Sequence, residues 1–293
     1  MNLVFNVFQI SAPVFLLTAI GFIWVKLGFE YKIEFVTRLA MTLALPCLIF
    51  VALMNTNIPS ETLQAICFAT IGAYAFVTLA CFILIKITKL DITTFLAPLT
   101  FGNTGNLGLP LAFFAFGVEG LGYAVVVFAI MAVYNFTFGV WVISGGGSIS
   151  KVLKEPLVWG TLMGAIFLIN DWETPKFLTS TLELIGQMAI PLMLITLGVA
   201  IARLRLQNLS RALGLTTIKF LLCLIAAIGA GKYFELSHIP FSVLLLQLTT
   251  PVAVTSYLLA TKYNSDAEDV AGLVIVSTIL SIVYIPMILF FLI

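Results

Sequence analysis

The sequence predicts an all-α membrane protein: ten transmembrane helices forming two inverted five-helix repeats, with helices four and nine broken. Three observations lead there. The chain is 61% hydrophobic and only 9% charged, whereas a soluble domain carries about 25% charged residues. Its apolar stretches number ten, each long enough to cross a hydrocarbon core of about 30 Å. Eight of its eleven prolines also pair at spacings of 141 to 145 residues, nearly half of the 293-residue chain. The pairs are Pro13 with Pro156, Pro46 with Pro191, Pro98 with Pro240, and Pro110 with Pro251.

In chain order, the expected spans are 4–26, 35–54, 62–86, 95–116 and 121–143, then 153–170, 178–202, 212–234, 241–261 and 268–292. Span one opens Met1-Asn2-Leu3-Val4-Phe5 without a basic n-region, so it reads as a retained span and not a signal peptide. Residues 1–143 form the first repeat and 153–293 the second. Between them, 144–152 is a connector containing Ser144-Gly145-Gly146-Gly147-Ser148. An odd number of spans per repeat forces the second copy to enter from the opposite side, giving inverted repeats. Basic residues set the orientation. Lys26, Lys32, Arg38, Lys86, Lys89, Lys151, Lys154, Arg203, Arg205, Arg211 and Lys262 lie near odd-numbered loops, against only Lys176 and Lys232 near even ones. The odd loops and the connector are then cytoplasmic, and both termini lie outside.

Span four reads Pro98-Leu-Thr-Phe-Gly102-Asn103-Thr104-Gly105-Asn106-Leu107-Gly108-Leu109-Pro110, too rich in glycine, asparagine and proline for a continuous helix. Span nine reads Gln247-Leu-Thr249-Thr250-Pro251-Val-Ala-Val-Thr255-Ser256-Tyr257. Irregular backbone at membrane depth must be buried in protein or line a cavity. Pro110 withholds the N–H that would reach the Asn106 carbonyl, and Pro251 does the same to Gln247; both residues also carry side-chain amides. Beyond each break a restarted half-helix presents free N–H groups and a partial positive charge, suited to a carboxylate. Asn103, Asn106, Gln247 and Thr250 are the expected substrate contacts. Gly105 and Gly108 permit close approach, and Pro110 and Pro251 shape the breaks.

Ionisable residues within spans are functional candidates. Glu183 lies at the outer end of span seven, where snorkelling or local pairing competes with a coupling role. Lys219, two turns into span eight, is divided between snorkelling and a role attracting an anion or pairing within the transport unit. Hydroxyls, amides and freed carbonyls around Thr104, Asn106, Gln247, Thr249 and Thr250 could equally ligate an alkali cation. Na+, H+ or no coupling ion all stay open. Cys47, Cys67, Cys81 and Cys223 read as small buried hydrophobes without metal-ligand spacing. One histidine, His238, in a loop before span nine, excludes HExxH zinc chemistry, and no aspartates pair within the membrane. A net charge of +1 gives no case for nucleic acid, and no cofactor is expected.

The stretch Asn103–Pro110, together with Pro251–Tyr257 through Ala260-Thr261-Lys262-Tyr263, resembles short prokaryotic members of the auxin efflux carrier family. Ala44-Leu45-Pro46 and Ile190-Pro191 through Gly198 also fit. The resemblance implies a fold shared with sodium–bile acid symporters, with spans four and nine crossing at the membrane centre. It implies a scaffold of spans one, two, six and seven and a mobile unit that moves like an elevator. It also implies a substrate carboxylate held along Asn103–Pro110, including Thr104 and Gly105, opposite the Pro251 break. Dicarboxylates are the implied substrate class, and dimers through the scaffold fit. The expectation is a prokaryotic inner-membrane carrier exporting small organic anions. A sodium-coupled symporter is the alternative, and a channel the more distant one.

Overall fold

The structure is a computed structural model and describes residues 3–55, 58–144, 156–170, 172–204, 208–263 and 265–293. Beyond Ser144, the glycine-rich connector lies outside the described residues, as do Lys151, Lys154 and Arg205. In order, the helices are α1 (Leu3–Lys26), α2 (Ile33–Leu39), α3 (Leu45–Met54), α4 (Ser60–Thr88), α5 (Ile92–Thr100), α6 (Leu109–Tyr134) and α7 (Val140–Ser144). They continue with α8 (Pro156–Ile169), α9 (Lys176–Gln187), α10 (Ala189–Arg203), α11 (Leu209–Tyr233), α12 (His238–Leu248), α13 (Val254–Lys262) and α14 (Ala267–Leu292). Five-residue π turns join α2 to α3 at Ala40–Ala44, precede α6 at Thr104–Gly108, and join α6 to α7 at Asn135–Gly139. His238 is therefore the first residue of a helix and not a loop residue; its ring meets Phe116 at 6.4 Å.

Among the described residues, seven helical stretches are long and apolar enough to cross a membrane: Val7–Lys26, Ile33–Met54, Ser60–Thr88, Thr104–Ile143, Lys176–Arg203, Leu209–Tyr233 and Ala267–Leu292. Two shorter apolar helices, Trp159–Leu168 and His238–Leu248, lie between them. The protein is a multi-pass integral membrane protein. Thr104–Ile143 holds 40 residues, which as one straight helix would measure about 60 Å, twice a bilayer core of about 30 Å. It is not straight. Gly117 has φ 64° and ψ −151°, a conformation that breaks the helical path and is open to glycine at little steric cost.

Small residues set the helix spacing, as expected where lipid and side chain are equally apolar. α1 lies on α10. A Cβ on Gly21 would come 2.0 Å from the Ile195 carbonyl oxygen, and one on Gly198 would come 1.8 Å from that of Thr18. α8 lies on α3 in the same way: Gly160 abuts the Pro46 backbone, and Gly164 abuts Leu53 and Phe50. The outer faces remain apolar, with Phe76, Ile83, Leu221 and Ile225 exposed on α4 and α11. The interior is built around the two interrupted segments. Phe101, Leu107, Leu109, Gln247 and Val252 are all buried to within 1%.

α5 begins at an Asp91 cap whose carboxylate accepts the Thr94 N–H at 2.7 Å. Partial burial opposes ionisation there, but hydrogen bonds from Thr93 and Thr94 outweigh it and hold the Asp91 pKa below its usual value. The helix ends at Thr100, and Phe101 is already extended. α12 ends at Leu248, just before Pro251, which cannot donate to continue it.

Candidate functional site at the helix crossing

The two interruptions touch. Gly102 and Val252 form an antiparallel bridge, and the Asn103 N–H donates to the Pro251 carbonyl at 2.7 Å. Such contact needs glycine, because a Cβ on Gly102 would stand 2.3 Å from the Thr250 hydroxyl oxygen. The restarted helix is just as close. A Cβ on Gly108 would come 2.1 Å from Oε1 of Gln247, whose Nε2 donates to the Ala124 carbonyl at 3.3 Å. Gly105 faces Phe128 and Met193.

The first break is not where Pro110 led us to expect it. It spans Phe101 to Asn103, and Pro110 lies in the first turn of α6, where a missing N–H is tolerated. Between them the chain winds as a π turn: Leu107 and Gly108 both donate to the Asn103 carbonyl at 3.1 Å, and Leu109 donates to Thr104. In that register the carbonyl lacking Pro110 as donor belongs to Gly105, not Asn106. The Gln247 carbonyl is not free either, since the Thr250 hydroxyl donates to it at 2.7 Å. The proline pairs 98/240 and 110/251 therefore do not mark equivalent places. Pro98 sits near the end of α5, whereas Pro240 opens α12.

Many hydroxyls elsewhere in the helices donate to the carbonyl one turn back, as in Ser11 to Val7, Thr70 to Ile66, and Thr216 to Ala212, and Thr249 at the end of α12 does the same to Leu245. The crossing is different. Among the described residues, the buried side-chain polar atoms without a partner are Thr100 Oγ1, Asn103 Nδ2, Thr104 Oγ1, Gln247 Oε1 and the Tyr74 hydroxyl. Four of the five sit on the two interrupted segments. A buried unpaired polar atom costs about 1–3 kcal/mol, so a cluster of them marks a place where the fold gives up stability for another purpose.

Asn106 points elsewhere, into a cavity of about 200 Å³ that it lines with residues of α2, α10 and α13. A water's share of liquid volume is about 30 Å³, so this space suits a small organic molecule. Its walls are largely apolar, from Met41, Met193, Leu197 and Leu258. Its polar groups are Thr37, Asn106, Thr196, Thr255, Tyr257 and Arg203. Arg203 donates to the Tyr31 carbonyl at 2.6 Å, and the Tyr31 hydroxyl pairs with Thr196 at 2.7 Å, so the α1–α2 loop is fastened to α10 beside the cavity. Burial pushes the Tyr31 hydroxyl pKa up, and the Thr196 bond partly opposes it.

Lys219 does not snorkel. It is 3% exposed and donates to the Thr250 carbonyl at 3.0 Å. Glu183 is exposed on α9 and makes no ion pair among the described residues. The structure thus gathers Asn103, Thr104, Gly105, Gly108, Gln247, Thr250 and Lys219 at the crossing, Asn106 at its cavity edge, and leaves Glu183 outside. Arg203, Thr196 and Thr100 were not legible as site residues. Arg203 looked like one more topogenic charge, and the two threonines, although they stand inside the quoted span-four stretch and the Ile190–Gly198 stretch, carry no local feature that singles them out. Thr255 and Tyr257 already stood in the span-nine motif.

A family model described as membrane transport protein matches residues 6–151 and 146–289. The chain belongs to the membrane transport protein family. At family level this accords with the resemblance to auxin efflux carriers, and it makes the protein a transporter and not an enzyme. An uncharacterized transporter of Methanothermobacter thermautotrophicus is 30% identical over 193 residues, 63% of this chain and 63% of the relative. An uncharacterized transporter of Methanocaldococcus jannaschii is 23% identical over 280 residues, 88% of this chain and 89% of the relative. The chain therefore aligns with less than two thirds of the first relative and with most of the second.

Proposed function

We propose that this membrane transport family protein is a carrier for small organic anions, working by elevator-type alternating access around the helix crossing. The observation that carries the reading is the Asn106 cavity. It lies on the seam between α2 and α10 on one side and the interrupted segments on the other. If the first group is scaffold and the second moves, a substrate held there changes sides when the seam slides. The Asn106 amide and the Arg203 guanidinium supply donors for a carboxylate, and the apolar walls accept its carbon skeleton.

Ten spans in two inverted repeats, 1–143 and 153–293, complete the reading. Thr104–Ile143 divides at Gly117 into the second half of span four, whose first half is α5, and span five, while α12 and α13 are the two halves of span nine. The packing of α1 on α10 and of α8 on α3 is what a two-fold exchange of spans one with six and two with seven generates. With basic loops cytoplasmic, the Arg203 end of the cavity faces inward and the termini outward in a prokaryotic inner membrane. Loading substrate from that side fits export.

The test is counterflow in proteoliposomes preloaded with malate, malonate, succinate or indole-3-acetate. Saturable exchange that falls at least tenfold in a folded Asn106→Ala protein is expected. Non-saturable flux would favour a pore, and wild-type rates in Asn106→Ala would move the substrate away from this cavity.

A further inference from the structure

Lys219 lies ten residues after Leu209, the first residue of α11, which puts it about 15 Å along the axis, roughly half of a hydrocarbon core. Its side chain turns into the bundle, where its Nζ is 3.0 Å from the Thr250 carbonyl oxygen and 4.0 Å from Cys223 Sγ. Among the described residues no carboxylate forms an ion pair with it. The ion pairs among the described residues are Lys32 with Glu30 and Arg211 with Asp269; α11 itself carries no acid. A buried cation without a counter-ion is normally disfavoured, so whatever holds Lys219 must be the backbone it touches. That backbone is the C-terminal end of the half-helix α12, where aligned peptide dipoles leave a partial negative charge and Pro251 supplies no N–H.

Dehydrated carbonyl oxygens at the end of an unwound helix are the ligand set an alkali cation takes in broken-helix carriers. An ammonium carries the same charge and uses the same oxygens, but it is tethered. We propose that the Lys219 ammonium is a built-in cation that holds the broken end of α12 in place of a bound sodium or potassium ion. The crossing then works without an alkali cation. As it bears on transport, this rests on the carrier reading above, and it decides against the sodium-coupled alternative.

The test compares thermal unfolding of the purified protein in micelles containing sodium, potassium or choline chloride at equal ionic strength. The wild type should unfold at the same temperature in all three. Lys219→Ala should unfold several degrees lower, with at least half the loss restored by sodium or by propylammonium, which matches the deleted Cγ-to-Nζ atoms, and none restored by choline. Lys219→Met, whose apolar stem still fills the space, should be destabilised and not rescued. A sodium-specific rise in the wild type would overturn the proposal, and it needs no variant to fold. So would a Lys219→Ala protein as stable as wild type, or one that no cation restores. Counterflow adds a second arm, with wild-type exchange unchanged when choline replaces sodium. Absence of exchange with any acid would defeat the carrier reading alone, because the unfolding arm still decides the role of Lys219.

Discussion

Replacing Gly102 by alanine tests the crossing most directly. The new Cβ would stand 2.3 Å from the Thr250 hydroxyl, 3.1 Å from the Thr250 carbonyl and 3.4 Å from its Cβ. The hydroxyl has little room to yield, because Thr250 is 1% exposed and its Oγ1 is bonded to the Gln247 carbonyl at 2.7 Å. Overpacking of this kind costs about 1–3 kcal/mol, and losing the Thr250 bond adds about 0.6 kcal/mol, the average for side-chain bonds in membrane bundles. Gly102→Ala should therefore lose about 2–4 kcal/mol. In a Thr250→Ala background the nearest obstacle is gone and only the 3.1 Å carbonyl contact is tight, so the same change should cost about 1 kcal/mol or less. Denaturant titration of all four proteins in mixed micelles closes the double-mutant cycle. Equal losses in both backgrounds would refute the claim that the Thr250 hydroxyl sets the approach of the two breaks.

Three further outcomes follow from the same geometry. Pro251→Ala should impair counterflow far more than Pro110→Ala, since Pro251 lies in a break and Pro110 inside a formed helix; equal rates would contradict that placement. Gly198→Ala should destabilise by about 1–3 kcal/mol by prising α1 from α10. Gly214→Ala in α11, with open space around it, should instead gain up to about 1 kcal/mol, and thermal unfolding separates the two. Asp91→Ala should cost about 1 kcal/mol as a lost helix cap. The folded-state pKa of Asp91 is depressed, so its contribution is complete above the ordinary carboxylate value and is lost as pH falls through the lower folded value. Stability curves of wild type and Asp91→Ala should accordingly converge only in strong acid.

Residues that break helices announced themselves. Gly102, Asn103, Gly105 and Pro251 are poor helix formers wherever they stand, so the existence of two interruptions was readable. The place of the second, at Pro251, was readable too, but that of the first was not. Pro110 has the same local chemistry as Pro251, yet the restarted α6 absorbs it at its first turn, while Gly102 opens the chain eight residues earlier because Thr250 must come close. Lys219 was balanced between snorkelling and function, since its long stem permits either, and only the proximity of the Thr250 carbonyl decides.

By itself the sequence determined the membrane class, the presence of long apolar helices and the weak points of two of them, because each follows from side-chain transfer energies and local backbone propensity. Tertiary structure decided the rest. It paired Gly102 with Val252, laid Gln247 against Gly108, aimed Lys219 at a broken helix end, and brought Asn106 and Arg203 to one cavity. Most of these contacts join residues about 100 or more positions apart, and no local rule of helix formation encodes which carbonyl a distant side chain will meet.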